Sequence, residues 1–136
     1  MPDRKVKDIR IAKAIRLIKS NFAEDFDFNS LAESLNLSVP RLRQLFKEQT
    51  GMPFRKYLRL VRMKEAQYLL ETTFLTVKEI AKQVGIHDSS NFVKDFERQF
   101  GMSPTKYRNV YLPRKEKAVS ANYISSQENS RFNRNG

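Results

Sequence analysis

The fold of this chain is decided by a segment that occurs twice. Residues 27–51 read DFNSLAESLNLSVPRLRQLFKEQTG, and residues 76–101 read TVKEIAKQVGIHDSSNFVKDFERQFG. Apolar residues recur at an offset of 49 residues in the first part of the segment and of 50 residues in the second part. The extra residue falls at a turn, where an insertion is best tolerated, so the repeat predicts two copies of one structural unit.

The first copy has the pattern of two short helices joined by a short turn. Asp27 and Ser38 are suited to be the N-caps of helices over residues 27–37 and 38–50, because their side chains can accept a hydrogen bond from the first turn. Gly51 is suited to end the second helix. Two short helices so close together predict a helix-turn-helix.

The second copy repeats these signals with different residues. Thr76 and Glu79 have the spacing of a capping box, and residues 85–87 supply the turn. Asp88 is suited to cap a helix that runs to about residue 100, and Gly101 is suited to end it. Three further helices are predicted from apolar spacing over residues 8–22, 53–71 and 104–108.

Charge and composition narrow the classes of function. The 136 residues contain 26 Lys and Arg against 15 Asp and Glu, which gives a net charge of +11 and favours a polyanionic partner. The chain has no Cys and a single His, which excludes thiol chemistry and Cys metal sites and argues against His-based catalysis. We therefore expect no catalytic residue, no metal and no cofactor. The N-terminus lacks the apolar stretch of a signal peptide, so a cytoplasmic, nucleoid-associated protein without a membrane span is expected.

Residues 10–109 resemble the DNA-binding domain of the AraC/XylS transcription regulators. The resemblance rests on AESLNLSVPRLRQLFKEQTG, RMKEAQYLL and IAKQVGIHDSSNFVKDFERQFGMSPTKYR. It implies an all-α, seven-helix bundle whose two helix-turn-helix units lie in successive major grooves of DNA. One departure is Ile86, where the family often has Phe. Another is the absence of an effector or dimerisation domain, so the chain resembles a single-domain member or an excised output domain.

The expected organisation has four parts. They are an N-terminal helix-turn-helix subdomain over residues 1–52, a linker helix over 53–71, a C-terminal helix-turn-helix subdomain over 72–112, and a disordered or loosely docked basic tail over 113–136.

Candidate base-contacting residues of the first unit follow from its helical pattern. The inward positions over residues 39–50 are Leu42, Leu45, Phe46 and Gln49, which leaves a polar outer face. Arg pairs bidentately with guanine and Gln with adenine in the major groove. The predicted contacts are Pro40, Arg43, Gln44 and Lys47, and the family resemblance points to the first three.

In the second unit the inward positions are Phe92, Phe96 and Phe100. The family resemblance maps the base-contacting positions to Ser89, Ser90, Asn91 and Lys94. These side chains are less directional than Arg43, so the second unit is expected to contribute more to positioning than to sequence selection. The three Phe residues have an alternative interpretation as a stacking platform for single strands.

Candidate phosphate contacts are basic side chains near the two units. They are Arg41, Arg55, Lys56, Arg59, Arg98 and Lys106.

The predicted function is sequence-specific binding of double-stranded DNA and regulation of transcription, with helices 39–50 and 89–100 in the major grooves. By resemblance, activation through RNA polymerase is expected, and no small-molecule site is evident. A monomer is expected because two units in one chain already span two half-sites. Two alternatives remain open: a nucleoid-type structural DNA-binding protein of low specificity, and the DNA-binding module of a DNA-processing enzyme. Repair enzymes of the alkyl-transfer kind need a Cys, which this chain lacks.

Overall fold

A computed structural model describes residues 5–111, and within them it contains seven α-helices and no strand. In chain order these are α1 (Ile9–Asn21), α2 (Phe28–Ser34), α3 (Val39–Thr50), α4 (Phe54–Thr72), α5 (Val77–Gln83), α6 (Ser89–Phe100) and α7 (Pro104–Tyr111). The predicted all-α, seven-helix fold is confirmed. The prediction of a basic tail falls on residues outside the described range.

The helix ends follow the predicted capping residues. The side chains of Asp27, Ser38 and Asp88 each accept a hydrogen bond from the first turn of the helix that follows. Thr76 and Glu79 form the complete capping box at the start of α5. Local chemistry therefore sets where these helices begin.

Two hydrophobic clusters make up the core, and α4 contributes to both. Tyr57 and Val61 of α4 pack with α1, α2 and α3. Met63 and Leu70, further along the same helix, pack with α5, α6 and α7. The first part of α4 thus completes the core of the first helix-turn-helix unit, and the later part completes the core of the second. The division of the chain into subdomains and a linker stays a prediction.

The aromatic residues of α6 belong to the core. Phe92 and Phe96 have no exposed surface, and Phe96 packs edge-on against Tyr107 with ring centroids 5.6 Å apart. Phe100 is half-buried and lies 4.5 Å from Phe96 between ring centroids. A side chain that lies inside the protein cannot stack on a nucleobase, so the interpretation as a stacking platform is wrong for Phe92 and Phe96.

The start of α1 is tied to the end of α3 by Gln49. Its side-chain Oε1 accepts hydrogen bonds from the backbone N–H groups of Lys7 and Asp8, at 2.8 and 2.9 Å. Gln49 was predicted to point inward, and it is half-buried. The contact holds α1 on the back of the first unit, on the side away from the polar face of α3.

None of the helices within residues 5–111 is both long enough and apolar enough to cross a membrane.

Candidate nucleic-acid interface

The outer face of α3 presents all four predicted base-contacting residues of the first unit. Pro40, Arg43, Gln44 and Lys47 are exposed, while Leu42, Leu45 and Phe46 on the opposite side are buried. Because three apolar anchors fix the rotation of the helix, the polar face cannot turn inward without exposing the core. The predicted orientation of α3 is confirmed, and the assignment of these residues to DNA bases remains a prediction.

Arg43 lies over the ring of Phe28, with its guanidinium carbon 4.9 Å from the ring centroid. Phe28 is half-buried and packs against Phe54 with ring centroids 4.6 Å apart. A planar guanidinium on an aromatic face is attracted by the ring quadrupole and loses rotamer freedom. Arg43 is thus held in a preferred orientation on the exposed face by a residue of another helix, α2.

The sequence pattern does not predict the pairing of Arg43 with Phe28. A comparison of the two copies of the repeat could have indicated it, because both residues differ between the copies. The positions that correspond to Phe28 and Arg43 in the second unit are Val77 and Val93. Both valines are half-buried and pack against the second core cluster. An aromatic–arginine pair in one unit is therefore replaced by two apolar residues in the other, so α6 has no counterpart of Arg43.

Arg41 contacts a predicted base-contacting residue of its own helix. Its Nη1 donates a hydrogen bond of 3.0 Å to Oε1 of Gln44. The contact draws the guanidinium of Arg41 toward the polar face of α3 and orients the amide of Gln44. A charged donor beside an amide that is predicted to contact a base is compatible with the predicted role of Arg41 as a phosphate contact.

The N-terminus of α6 carries the predicted residues of the second unit. Ser90, Asn91 and Lys94 are exposed, and Ser89 is half-buried. The Asp88 carboxylate accepts hydrogen bonds from the backbone N–H groups of Ser90 and Asn91, at 2.9 and 3.2 Å. The cap occupies these two backbone N–H groups, and the predicted contacts of this unit are side chains.

Asp95 pairs with two of the predicted phosphate contacts. Its carboxylate lies 2.8 Å from Nη1 of Arg98 and 3.9 Å from Nε of Arg59, and its side chain is 23% exposed. The pair with Arg59 joins α4 to α6. The two arginines thus offset the negative charge of Asp95, and part of their own positive charge is offset with it.

A cleft of about 530 Å³ lies between α3, α4 and α6. Its charged lining residues are Arg43 and Lys47 from α3, Arg55, Arg59 and Arg62 from α4, and the acidic residues Asp25 and Asp95. Apolar side chains, among them Phe28 and Phe54, line the same cleft. Four predicted DNA contacts therefore converge, whereas Lys56, Lys106 and the predicted residues at the start of α6 do not line it.

Lys56 and Lys106 occupy corresponding positions in the two copies of the repeat. Each is the third residue of its helix, α4 or α7, and each is exposed. The N-terminus of a helix carries a partial positive charge and attracts anions. The two lysines are therefore placed where the start of a helix favours binding of a phosphate.

Among residues 5–111 there is no group of His, Asp and Glu that could hold a metal ion.

Comparison with known proteins finds similar proteins that are named as regulators. A family model described as "Helix-turn-helix domain" matches residues 31–109. The chain is 40% identical over 93 residues to the Msm operon regulatory protein of Streptococcus mutans, covering 68% of this chain and 34% of that protein. It is 35% identical over 98 residues to the HTH-type transcriptional activator RhaR of Escherichia coli, covering 72% and 35%. The chain thus spans about a third of the length of the curated relatives it matches.

Solved structures with similar folds include two that cover more than three quarters of this chain. The C-terminal domain of AraT, a response regulator from Geobacillus stearothermophilus, has a TM-score of 0.74 at 32% identity and covers 78% of this chain and 88% of that one. The DNA-binding domain of AdpA, a global transcriptional factor crystallised in complex with a target DNA, has a TM-score of 0.69 at 26% identity and covers 89% and 98%.

Proposed function

This chain belongs to the AraC family of helix-turn-helix transcription regulators, and on that premise we propose that it binds double-stranded DNA sequence-specifically and regulates transcription. The observation that carries the proposal is the exposed polar face of α3, held outward by buried residues on the opposite side of the helix. In a helix-turn-helix, this second helix lies in the major groove.

The two units have unequal roles in the proposed complex. The first unit selects sequence, because Arg43 and Gln44 are exposed on the outer face of α3 and carry the groups that pair with guanine and adenine. The second unit mainly positions the protein, because Ser89, Ser90 and Asn91 are short and Val93 replaces the arginine. Placing α3 and α6 in successive major grooves puts the cationic cleft between them over the sugar–phosphate backbone.

We further propose that the protein activates transcription in the cytoplasm through a contact with RNA polymerase. RhaR is named a transcriptional activator, and its match covers 72% of this chain and 35% of RhaR. A promoter-reporter assay checks the sign of regulation, and a fall in reporter output on expression of this chain would contradict it.

Binding-site selection from a random DNA library tests the proposal, and Arg43→Ala is its sharpest variant. A bidentate contact to guanine contributes about 1–3 kcal/mol of discrimination. We expect Arg43→Ala to flatten the preference at one base pair of one half-site by roughly 5- to 150-fold while other positions stay selective.

Lys56→Ala is the matched control, because it also removes one exposed cation. As a phosphate contact, Lys56 should weaken binding to all sequences about equally. Circular dichroism verifies that both variants fold. If Arg43→Ala lowers affinity uniformly and leaves every base preference intact, Arg43 contacts the backbone and the base-contacting assignment is wrong. If the unmodified protein binds DNA but selects no sequence, it is a nucleoid-type structural DNA-binding protein of low specificity, which the net charge of +11 allows.

The protein is expected to be a monomer, because its two units already match two half-sites on one side of the DNA. Sedimentation equilibrium at micromolar concentration, without DNA, measures the mass directly. The expected value is that of one 16.0 kDa chain. A stable dimer at this concentration would contradict the proposal.

A further inference from the structure

The two helix-turn-helix units touch each other directly, apart from their shared helix α4. The contact is made by residues 22–25, the first part of the connection between α1 and α2, which lie between α4 and the turn that joins α5 to α6. Phe22, at the start of this connection, packs against both core clusters. We call residues 22–25 the bridge.

Arg62 of α4 binds the bridge with two hydrogen bonds. Its Nε donates to the backbone carbonyl of Phe22 at 2.6 Å, and its Nη2 donates to the carbonyl of Glu24 at 3.0 Å. The guanidinium is half-buried, and burial lowers its pKa. A rigid planar group that binds two carbonyls two residues apart fixes the path of the chain between them.

Gly85, in the turn of the second unit, contacts the backbone of the bridge from the other side. A Cβ atom built on Gly85 would lie 2.7 Å from the carbonyl oxygen of Ala23 and 2.9 Å from its Cα. Neither distance is tolerable, and neither neighbour is a side chain that could move aside. Only a glycine lets the two backbones come this close.

The internal repeat shows that the turn itself does not require glycine. Gly85 has φ +91°, and the corresponding residue of the first unit is Asn36, with φ 58°. Asn tolerates this left-handed conformation, so the same turn is built without a glycine where no bridge packs on it. By contrast, a Cβ built on Gly101 would meet nothing within 4 Å. The requirement for glycine at position 85 thus comes from the contact between the units.

We infer that Arg62 and Gly85 are positioning residues that hold the two helix-turn-helix units at one separation and angle, so that the spacing between the two half-sites is part of the DNA specificity. The inference rests on the proposed function. One inserted base pair moves a half-site by about 3.4 Å and rotates it by roughly 35° about the DNA axis. A rigid protein loses the contacts of one unit on such a site, whereas loosely joined units recover them.

The test uses the selected DNA site and versions of it with one base pair added or removed between the half-sites. For the unmodified chain we expect each change to lower affinity by about 10- to 100-fold, because both units can no longer bind at once. For Gly85→Asn and for Arg62→Gln we expect the penalty to fall to about threefold or less, with weaker binding to the original site.

Asn36→Gly is the matched control, because it changes the same turn in the unit that lacks the bridge contact. It should keep the full penalty of the unmodified chain. Folded Gly85→Asn and Arg62→Gln variants that also keep the full penalty would overturn the inference.

Nitrogen-15 NMR relaxation without DNA tests the contact independently of function. The two units should share one rotational correlation time in the unmodified chain, and the backbone order parameters of the bridge should fall in Arg62→Gln, a variant that places no atom in the tight contact at Gly85. Independent tumbling in the unmodified chain would refute the rigid contact. A rigid protein that selects no DNA sequence would instead refute the proposed function, and the role in spacing with it.

Discussion

Raising the salt concentration from about 50 mM to about 200 mM should weaken the binding of this protein to DNA by roughly 1,000-fold. The reason is the release of counterions from each phosphate that a Lys or Arg neutralises. The six candidate contacts predict a slope of about −5 in a plot of log affinity against log salt. Fluorescence anisotropy with a labelled duplex at four or more salt concentrations measures the slope.

This slope is reached only if Arg59 and Arg98 leave their ion pairs with Asp95 and contact DNA phosphates instead. Both are partly exposed in their pairs with Asp95, and exposed pairs contribute little free energy, so the exchange is inexpensive. Lys56→Ala should make the slope shallower by about 1. Lys78→Ala removes the same charge from the exposed surface of α5, outside the proposed interface, and should leave the slope unchanged. A slope near zero for the unmodified chain would contradict nucleic acid as the partner.

Truncating either central phenylalanine should lower the free energy of unfolding by about 3–5 kcal/mol. Phe46 and Phe96 occupy corresponding positions of the repeat, and neither has exposed surface. Phe46 packs edge-on against Phe54 and Tyr57, with ring centroids 5.6 and 5.3 Å apart. Alanine at either position leaves a cavity that the surrounding rings cannot fill. Urea denaturation followed by circular dichroism measures the loss for Phe46→Ala and Phe96→Ala.

Ile9→Ala is the control for these variants, because Ile9 is apolar but 78% exposed. It should change the free energy of unfolding by no more than about 0.5 kcal/mol. A loss below about 1 kcal/mol for Phe96→Ala would show that its ring is not buried, and it would restore the interpretation of the α6 aromatics as a stacking surface.

The sequence by itself determined the features that depend on neighbouring residues. Helix starts at Asp27, Ser38 and Thr76 could be predicted because a cap is made with residues two or three positions away. The buried and exposed sides of α3 and α6 could be predicted because the side-chain period of a helix is known. The repeat then supplied the architecture, since two copies of a unit place two similar helices on one chain.

Only the tertiary structure decided which side chains meet across the fold. That Asp95 pairs with Arg59, that Arg62 binds carbonyls 40 and 38 residues away, and that Gly85 lies against the bridge depend on how two units pack about α4. In the sequence Arg62 is one of several cations along α4, and helical spacing gives the face of a residue but not its partner. Contacts between distant segments follow from the packing of whole helices, and no local pattern around Arg62 or Gly85 carries that information.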